Sequence, residues 1–382
     1  MYPVSTEWVR ANESFLAPEG LVEISCYIPE LRQTLVYTKK DLMNFTHQQT
    51  GSLVAGELPK NHIEFSLDNT DGKWNPSNPQ GLAKYLVERL QIVLRYGFVI
   101  DGVERWIPGG TFYLSEWRAP QNGLEASFVA RDILEYLIDR PYTGKVEGTL
   151  YNVVQSVLAE ANIPRGEAIL GKMVLGETPM GVVNISEELK KYSVGNVKYD
   201  GSETMAVILQ KCANAAGCVM YQDRDGRLTI KKLSYEDTGY TISQEFSYAH
   251  PEIEISRPIK SVSVTYCGDT TRTWQFCDSG ETQTLNNNFI KTGEQSRKIA
   301  GWVRDSLISR KQLKGEFRGD PRFDLFDVVS VESKYGRVSY VVLTDVKITF
   351  TGAFRVTYSG YVRGDSSLGI AYSGEIYTGE VV

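Results

Sequence analysis

The side chains best suited to chemistry in this sequence are three histidines, five cysteines and scattered carboxylates. His47, His62 and His250 stand at no HExxH or other metal-ligand spacing and read as surface or packing residues. The five cysteines are Cys26, Cys212, Cys218, Cys267 and Cys277; their odd number and lack of a CxxC argue against a disulfide framework. Cys267 and Cys277 could face each other across a hairpin, but reduced, half-buried thiols are the preferred reading. Acyl transfer needs a nucleophile beside a base, and neither a GxSxG nor a recognisable Cys–His setting occurs. Glycoside hydrolysis needs two carboxylates across a cleft. Glu104, Glu116 and Asp132 lie in or beside apolar segments, where carboxylates usually occupy a solvated sheet face.

Asp68, Asp71 and Gly72, like Asp223, Asp225 and Gly226, resemble part of a calcium loop without completing DxDxDG…E, so both read as turns. No GxxxxGK[ST] or GxGxxG phosphate cradle is present. Arg297, Lys298, Arg304, Arg310, Lys311 and Lys314 suit one basic helix over 297–314, read first as a solvated face and second as a face for an acidic partner or DNA. The assignment is therefore of no catalytic, cofactor-binding or metal-ligating residue, no cofactor and no enzymatic activity.

The elements around these residues are mostly strands. A chain of 382 residues exceeds one ordinary core and calls for two to three domains. Its 42% hydrophobic and 23% charged residues fit a globular protein, and a net charge of -6 argues against a bulk electrostatic grip on nucleic acid. The absence of an apolar run near 18 residues argues against a membrane-spanning helix, and MYPVSTEWVRANESF does not read as a signal peptide; a cytosolic origin is expected. The 22 tyrosines suit half-wet sheet faces and interfaces.

Residues 1–19 read as a polar arm that orders on a neighbour. Period-two alternation marks strands in LVEISCYI, LRQTLVYT, IEFSLDN, LQIVLRYGFV, ERWIPGGTFYLSEWRA and GLEASFVARD. DNTDGKWNPSNP reads as an ordered loop, Pro108-Gly109-Gly110 as a bulge or corner, and Gln80 to Arg89 and Ala130 to Asp139 as short helices. After Pro141, Thr149 can cap one helix and Ser202 open another, with Gly217 at its C-terminal end and a hairpin turning at Asp225-Gly226. The amphipathic run 293–312 and a closing meander follow. The domains are thus a 1–19 arm, a β-barrel at 20–145, a small α/β domain at 146–240, a second barrel at 241–365 and a Gly- and Ser-rich tail at 366–382. The two β regions share a plan, which hints at a duplication, but show no residue-level repeat.

FSLDNTDGKWNPSNP, the RYG strand and IPGGTFYLSEW together resemble the N-terminal half of baseplate hub or tail-tip proteins of tailed bacteriophages and prophages. SETMAVILQKCANAAGCVMYQDRDGRLTI is similar to their middle domain, and DPRFDLFDVVSVESKYGRVSYVVLTDVKITFTGAFRVTYSG to their final barrel. The resemblance covers residues 20 to 365. It implies a mainly β fold with α+β parts: two tail-tube-like antiparallel β-barrels plus a small α/β domain. It further implies a homotrimer whose six barrels close a six-fold tail tube at the virion tail tip. A distal tail or tube protein lies above, tip, spike or fibre proteins lie below, and tape-measure protein or DNA passes as cargo. Relatives often carry C-terminal endopeptidase or glycan-binding extensions; with the sequence ending at 382, such activity is expected in another protein. The alternatives are a peripheral adapter that holds fibres or receptor-binding proteins, and a tail-associated wall hydrolase.

Overall fold

The computed structural model describes residues 1–120, 123–161 and 183–363. Thr6–Glu13 form helix α1. The first barrel is built from β1 (Glu19–Ile28), β2 (Gln33–Thr38), β3 (Leu42–Thr50), β4 (Lys60–Asp68), β5 (Gln91–Ile100), β6 (Val103–Arg118) and β7 (Glu125–Arg131). Their order in the sheet is β3-β4-β7-β6-β5-β1-β2. Val22, Ile24, Ile63, Phe65, Leu94, Phe112 and Phe128 alternate inward along these strands and share one core. Of the bulge or corner expected at Pro108-Gly109-Gly110, the structure has the bulge: Arg95 pairs with Pro108 and Leu94 with Gly110. Gly109 is left over, and a Cβ there would stand 2.6 Å from Leu94 Cγ, which only glycine avoids.

The small α/β region contains β8 (Lys145–Thr149), α2 (Leu150–Ala161), β9 (Val183–Ile185), β10 (Ser193–Lys198), α3 (Met205–Ala215), β11 (Val219–Gln222) and β12 (Leu228–Lys231). Thr149 stands directly before α2, its N–H and hydroxyl both donating to Asn152 Oδ1 at 3.0 and 2.7 Å. Gly217 takes φ +65 behind α3, and the Cys218 amide returns to Ala213 O at 2.9 Å, a left-handed C-terminal cap. Gly226 takes φ +77 in the hairpin turn between β11 and β12.

The second barrel uses β13 (Asp237–Ile242) and β14 (Glu252–Ile255). After a gap it resumes with β18 (Lys311–Arg318), β19 (Val328–Glu332), β20 (Val338–Phe350) and β21 (Phe354–Arg363). In the gap, β15 (Ile259–Tyr266), β16 (Thr270–Gln275), β17 (Glu281–Asn286) and α4 (Gly293–Ser306) form a separate unit. Its Val262, Val264, Phe289, Ile299 and Val303 bury in one core with α2 and α3. The span 241–365 therefore contributes to two cores, and β13, which pairs with β19 of the second barrel, starts at Asp237.

The two barrels repeat one strand order. β3-β4-β7-β6-β5-β1 in the first matches β14-β18-β21-β20-β19-β13 in the second, except that β1 meets β5 antiparallel and β13 meets β19 parallel. The match extends to backbone detail. The Leu114 amide donates to Leu90 O at 2.9 Å and the Arg89 amide to Leu114 O at 2.8 Å; the Leu343 amide donates to Asp327 O at 2.9 Å and the Phe326 amide to Leu343 O at 2.8 Å. Arg89 and Phe326 take φ +64 and +67. A bulge follows each leucine, at Ser115 and Thr344, so by strand pairing Leu114-Ser115-Glu116 corresponds to Leu343-Thr344-Asp345. The barrels join through β3, which pairs antiparallel with the second half of β20 from Thr50↔Asp345 to Phe45↔Phe350.

Four local expectations differ from the structure. The arm at 1–19 orders on its own chain: Ser5 caps α1, and Trp8 is buried with its ring centroid 4.8 Å from that of Phe98. Between Gln80 and Arg89 only Ala83–Tyr85 form a 3-10 turn, because the chain folds back with the Leu82 amide on Lys73 O. Ala130 and Arg131 end β7, leaving one 3-10 turn at Ile133–Tyr136 capped by Asp132. The basic run does not form one helix: α4 stops at Ser306, and Lys311 and Lys314 belong to β18. The tail at 366–382 lies outside the described residues.

Candidate functional site

The sequence-singled residues are dispersed, and each is accounted for locally. His47 is 1% exposed on β3, between Tyr96 OH at 2.7 Å and Asn61 Oδ1 at 2.8 Å. Asn61 Oδ1 can only accept, so Nε2 carries the hydrogen and Nδ1 accepts from the tyrosine. Burial pushes the imidazole down to about 3, so it stays neutral in the folded protein. The sign follows from linkage: below the ordinary histidine value near 6.5 the unfolded chain takes up a proton that the native site refuses, so stability is lost as pH falls. The stability gap between the native protein and His47→Gln should shrink by about 2 kcal/mol from pH 7.5 to pH 5. Denaturant unfolding at the two pH values measures it; a pH-independent gap would refute the neutral buried imidazole.

Asp132 has the opposite sign. Burial raises its carboxyl to about 7, against the Leu134 amide, which favours the charged form, and with Glu135 adding repulsion. Its contribution is present below the ordinary carboxylate range and fades as pH rises through about 7. It enters both proteins of the His47 comparison and cancels. Asp132 serves as a cap, with Oδ1 accepting from the Leu134 amide at 3.0 Å. Glu104 accepts from Trp106 Nε1 at 3.2 Å, and Glu116 pairs with Arg131 at 3.3 Å on an exposed face.

His62 lies 3.5 Å from Glu64, and His250 is exposed. Among the described residues no three His, Cys, Asp or Glu side chains gather as metal ligands. The DNTDGKWNPSNP loop is held by Asx turns, in which Asp68 accepts from Thr70, Asp71 from Lys73 and Asn75 from Ser77, and by Asn69, which reaches across it to accept from the Trp74 amide. It lays Trp74 edge-on against Phe128 at 5.1 Å. Asp223 binds the amides of Asp225 and Arg227 across the hairpin turn. Cys267 lies at the tip of the β15–β16 hairpin and Cys277 beyond its open end, so the two do not face each other. Of the basic run, Lys298 pairs with Glu294 at 2.8 Å, Arg304 with Asp305 at 2.6 Å and Lys314 with Glu252 at 3.5 Å.

Among the described residues several strands leave an edge open, β2 at one end of the large sheet and β14 at the other, and two of these edges, on β14 and β6, belong to the repeated part of the barrels. Among the described residues β14 pairs only with β18, and its four residues, Glu252 to Ile255, are all exposed. β6 pairs with β5 only as far as Tyr113; beyond the Ser115 bulge, that side of Glu116, Trp117 and Arg118 carries no strand among the described residues. The period-two pattern of ERWIPGGTFYLSEWRA marks the strand but not its open edge, which depends on where β5 stops. A cavity of about 610 Å³ also opens beside Met1, Tyr221, Arg224 and Asp324. There the 4% exposed Arg224 lies over the Tyr96 ring at 5.9 Å.

No helix of the described residues is long and apolar enough to cross a membrane. No family model matches the chain, and no curated protein matches it. Solved structures do. The tail protein from Neisseria meningitidis MC58 superposes with a TM-score of 0.59 at 13% identity, over 91% of this chain and 97% of that one. The 43 kDa tail protein of prophage MuSo2 from Shewanella oneidensis gives a TM-score of 0.59 at 13% identity, over 90% and 97%. At these identities the likeness is one of fold: along nearly its whole length, the chain has the fold of phage and prophage tail proteins.

Proposed function

We propose that this chain is a structural subunit of a phage or phage-like tail tip, a hub in which three copies close a ring of six barrels beneath a six-fold tube. The observation that carries the reading is the internal duplication. One chain supplies two barrels of the same strand order, already joined edge to edge through β3 and β20. Three such chains make six equivalent barrels, which matches a six-fold tube on one side and a three-fold tip on the other. The contacts are heterologous and close by symmetry. The fold shared with two tail proteins supports the tail assignment.

In this role the protein works without catalysis. A tube or distal tail protein sits above, tip or fibre proteins sit below, and DNA or tape-measure protein passes through the bore. The net charge of -6 suits a conduit that must not grip DNA. Sedimentation of the purified chain over a concentration series tests the reading. The expected result is a species of three times the 42.9 kDa chain mass. A chain that stays monomeric at every concentration, or stops at a dimer, would overturn it.

A further inference from the structure

We infer that neighbouring copies are joined by β14 of one chain adding antiparallel to the free half of β6 of the next, in a register fixed by the seam inside each chain. This rests on the trimeric reading above and names the contact that builds it.

The inference follows from the duplication. In the second barrel, β20 gives its first half, Val338 to Val342, to β19; after the Thr344 bulge, Asp345 to Phe350 accept β3. In the first barrel, β6 gives Val103 to Tyr113 to β5; after the equivalent Ser115 bulge, the same side is open. The strand equivalent to β3 is β14. His47 pairs with Ile63, which pairs with Ala130, while Ile253 pairs with Leu313, which pairs with Gly360; Ala130 and Gly360 stand opposite the two equivalent leucines. Each barrel thus has one donor strand and one acceptor edge. Within a chain, the first barrel's donor occupies the second barrel's acceptor, leaving β14 and the end of β6 for another copy.

Transferring the internal register sets the contacts. Asp345↔Thr50, Val346↔Gln49 and Lys347↔Gln48 become Glu116 opposite Ser256, Trp117 opposite Ile255 and Arg118 opposite Glu254 of the next copy. The chemistry fits. Thr50 donates to Asp345 Oδ2 at 2.8 Å within the chain, and the transferred register sets Ser256 opposite Glu116, where its hydroxyl would exchange Arg310 O, to which it donates at 3.2 Å in the single chain, for the carboxylate. Arg118 and Glu254 are opposite charges directly across the strands, a favourable cross-strand pair. Burial points the same way. At the occupied seam Val346, Gln49 and His47 are 0%, 2% and 1% exposed, whereas their equivalents Trp117, Ile255 and Ile253 are 37%, 52% and 55% exposed. Apolar side chains at a bare edge call for a covering partner, since open edges otherwise invite indiscriminate pairing.

The test is a chain carrying Trp117→Cys with Ile255→Cys, in a Cys267→Ser, Cys277→Ser background, oxidised with copper–phenanthroline. Opposed residues of an antiparallel pair have Cα atoms about 4.5–5.5 Å apart, within disulfide reach. The expected result is a ladder ending at three covalently joined copies, with no product from either single-cysteine chain. A second pair guards against loss of the Trp117 ring: Arg118→Glu and Glu254→Arg should each weaken self-association about tenfold, and together restore it. A trimer that forms with neither cross-link nor charge rescue overturns this register while the hub reading stands. Failure of the native chain to trimerise overturns the hub reading itself.

Discussion

Asp320→Ala should be among the most destabilising single substitutions in the chain, at about 3–5 kcal/mol. Asp320 is 0% exposed and Arg322 3%. The carboxylate accepts from Arg322 Nε at 2.7 Å and from the Arg322 amide at 3.0 Å, and from Asn12 Nδ2 of α1 at 3.0 Å. Removing it leaves a buried guanidinium without its counter-ion, the costly way to break such a pair. It also frees α1, which spans the two barrels: Trp8 packs on Phe98 of the first, and Asn12 donates to Asp320 and Tyr240 of the second. The expected result is a lower thermal midpoint together with rapid tryptic cleavage at Arg10. An unshifted midpoint with α1 still protected would show that the pair contributes little.

Phe354→Ala should cost a similar amount, about 3–5 kcal/mol, through lost burial and the cavity left behind. Phe354 is 3% exposed and begins β21 of the second barrel, yet its ring meets Tyr96 at 5.6 Å and Phe98 at 5.5 Å, both from the first. Phe350 adds a contact at 5.1 Å. Gly20 leaves room for the ring, since a Cβ there would come within 3.1 Å of it. The damage therefore falls on the union of the barrels. Denaturant unfolding should show the main transition moved to lower denaturant, with the core around α2 and α3 less affected. Equal loss in both, or none, would contradict a shared core at the seam.

Much of the fold was legible because strand alternation is local. LVEISCYI, IEFSLDN and LQIVLRYGFV each carry their own burial pattern in their side chains, and β1, β4 and β5 follow it. The hairpin at Asp225-Gly226 and the cap at Gly217 were equally local, since glycine alone takes those conformations cheaply. Elements failed where local propensity met a longer-range constraint. Lys- and Arg-rich residues after Ser306 favour a helix, but Leu313 and Phe317 bury on the inner face of a strand paired with β21. The helix at 6–13 carries only a two-residue signal: Trp8 and Asn12, four apart, share the buried face of α1.

The edges that matter for assembly were hidden for a different reason. Which strand β3 pairs with is decided almost 300 residues away, at Asp345 to Phe350, and no local period encodes a partner. The repeat was likewise too short to see: Leu-Ser-Glu and Leu-Thr-Asp are one aliphatic, one hydroxyl and one acid. They become a repeat only when the same bulge and the same left-handed residue appear beside both.

Electron cryomicroscopy of the assembled ring, viewed down its axis, tests the central claim most directly. The account predicts three chains showing six barrels, with alternating seams: β3 on β20 within each chain, and β14 on β6 between chains. A ring with another number of chains, or one whose barrels meet through faces other than these edges, would contradict it.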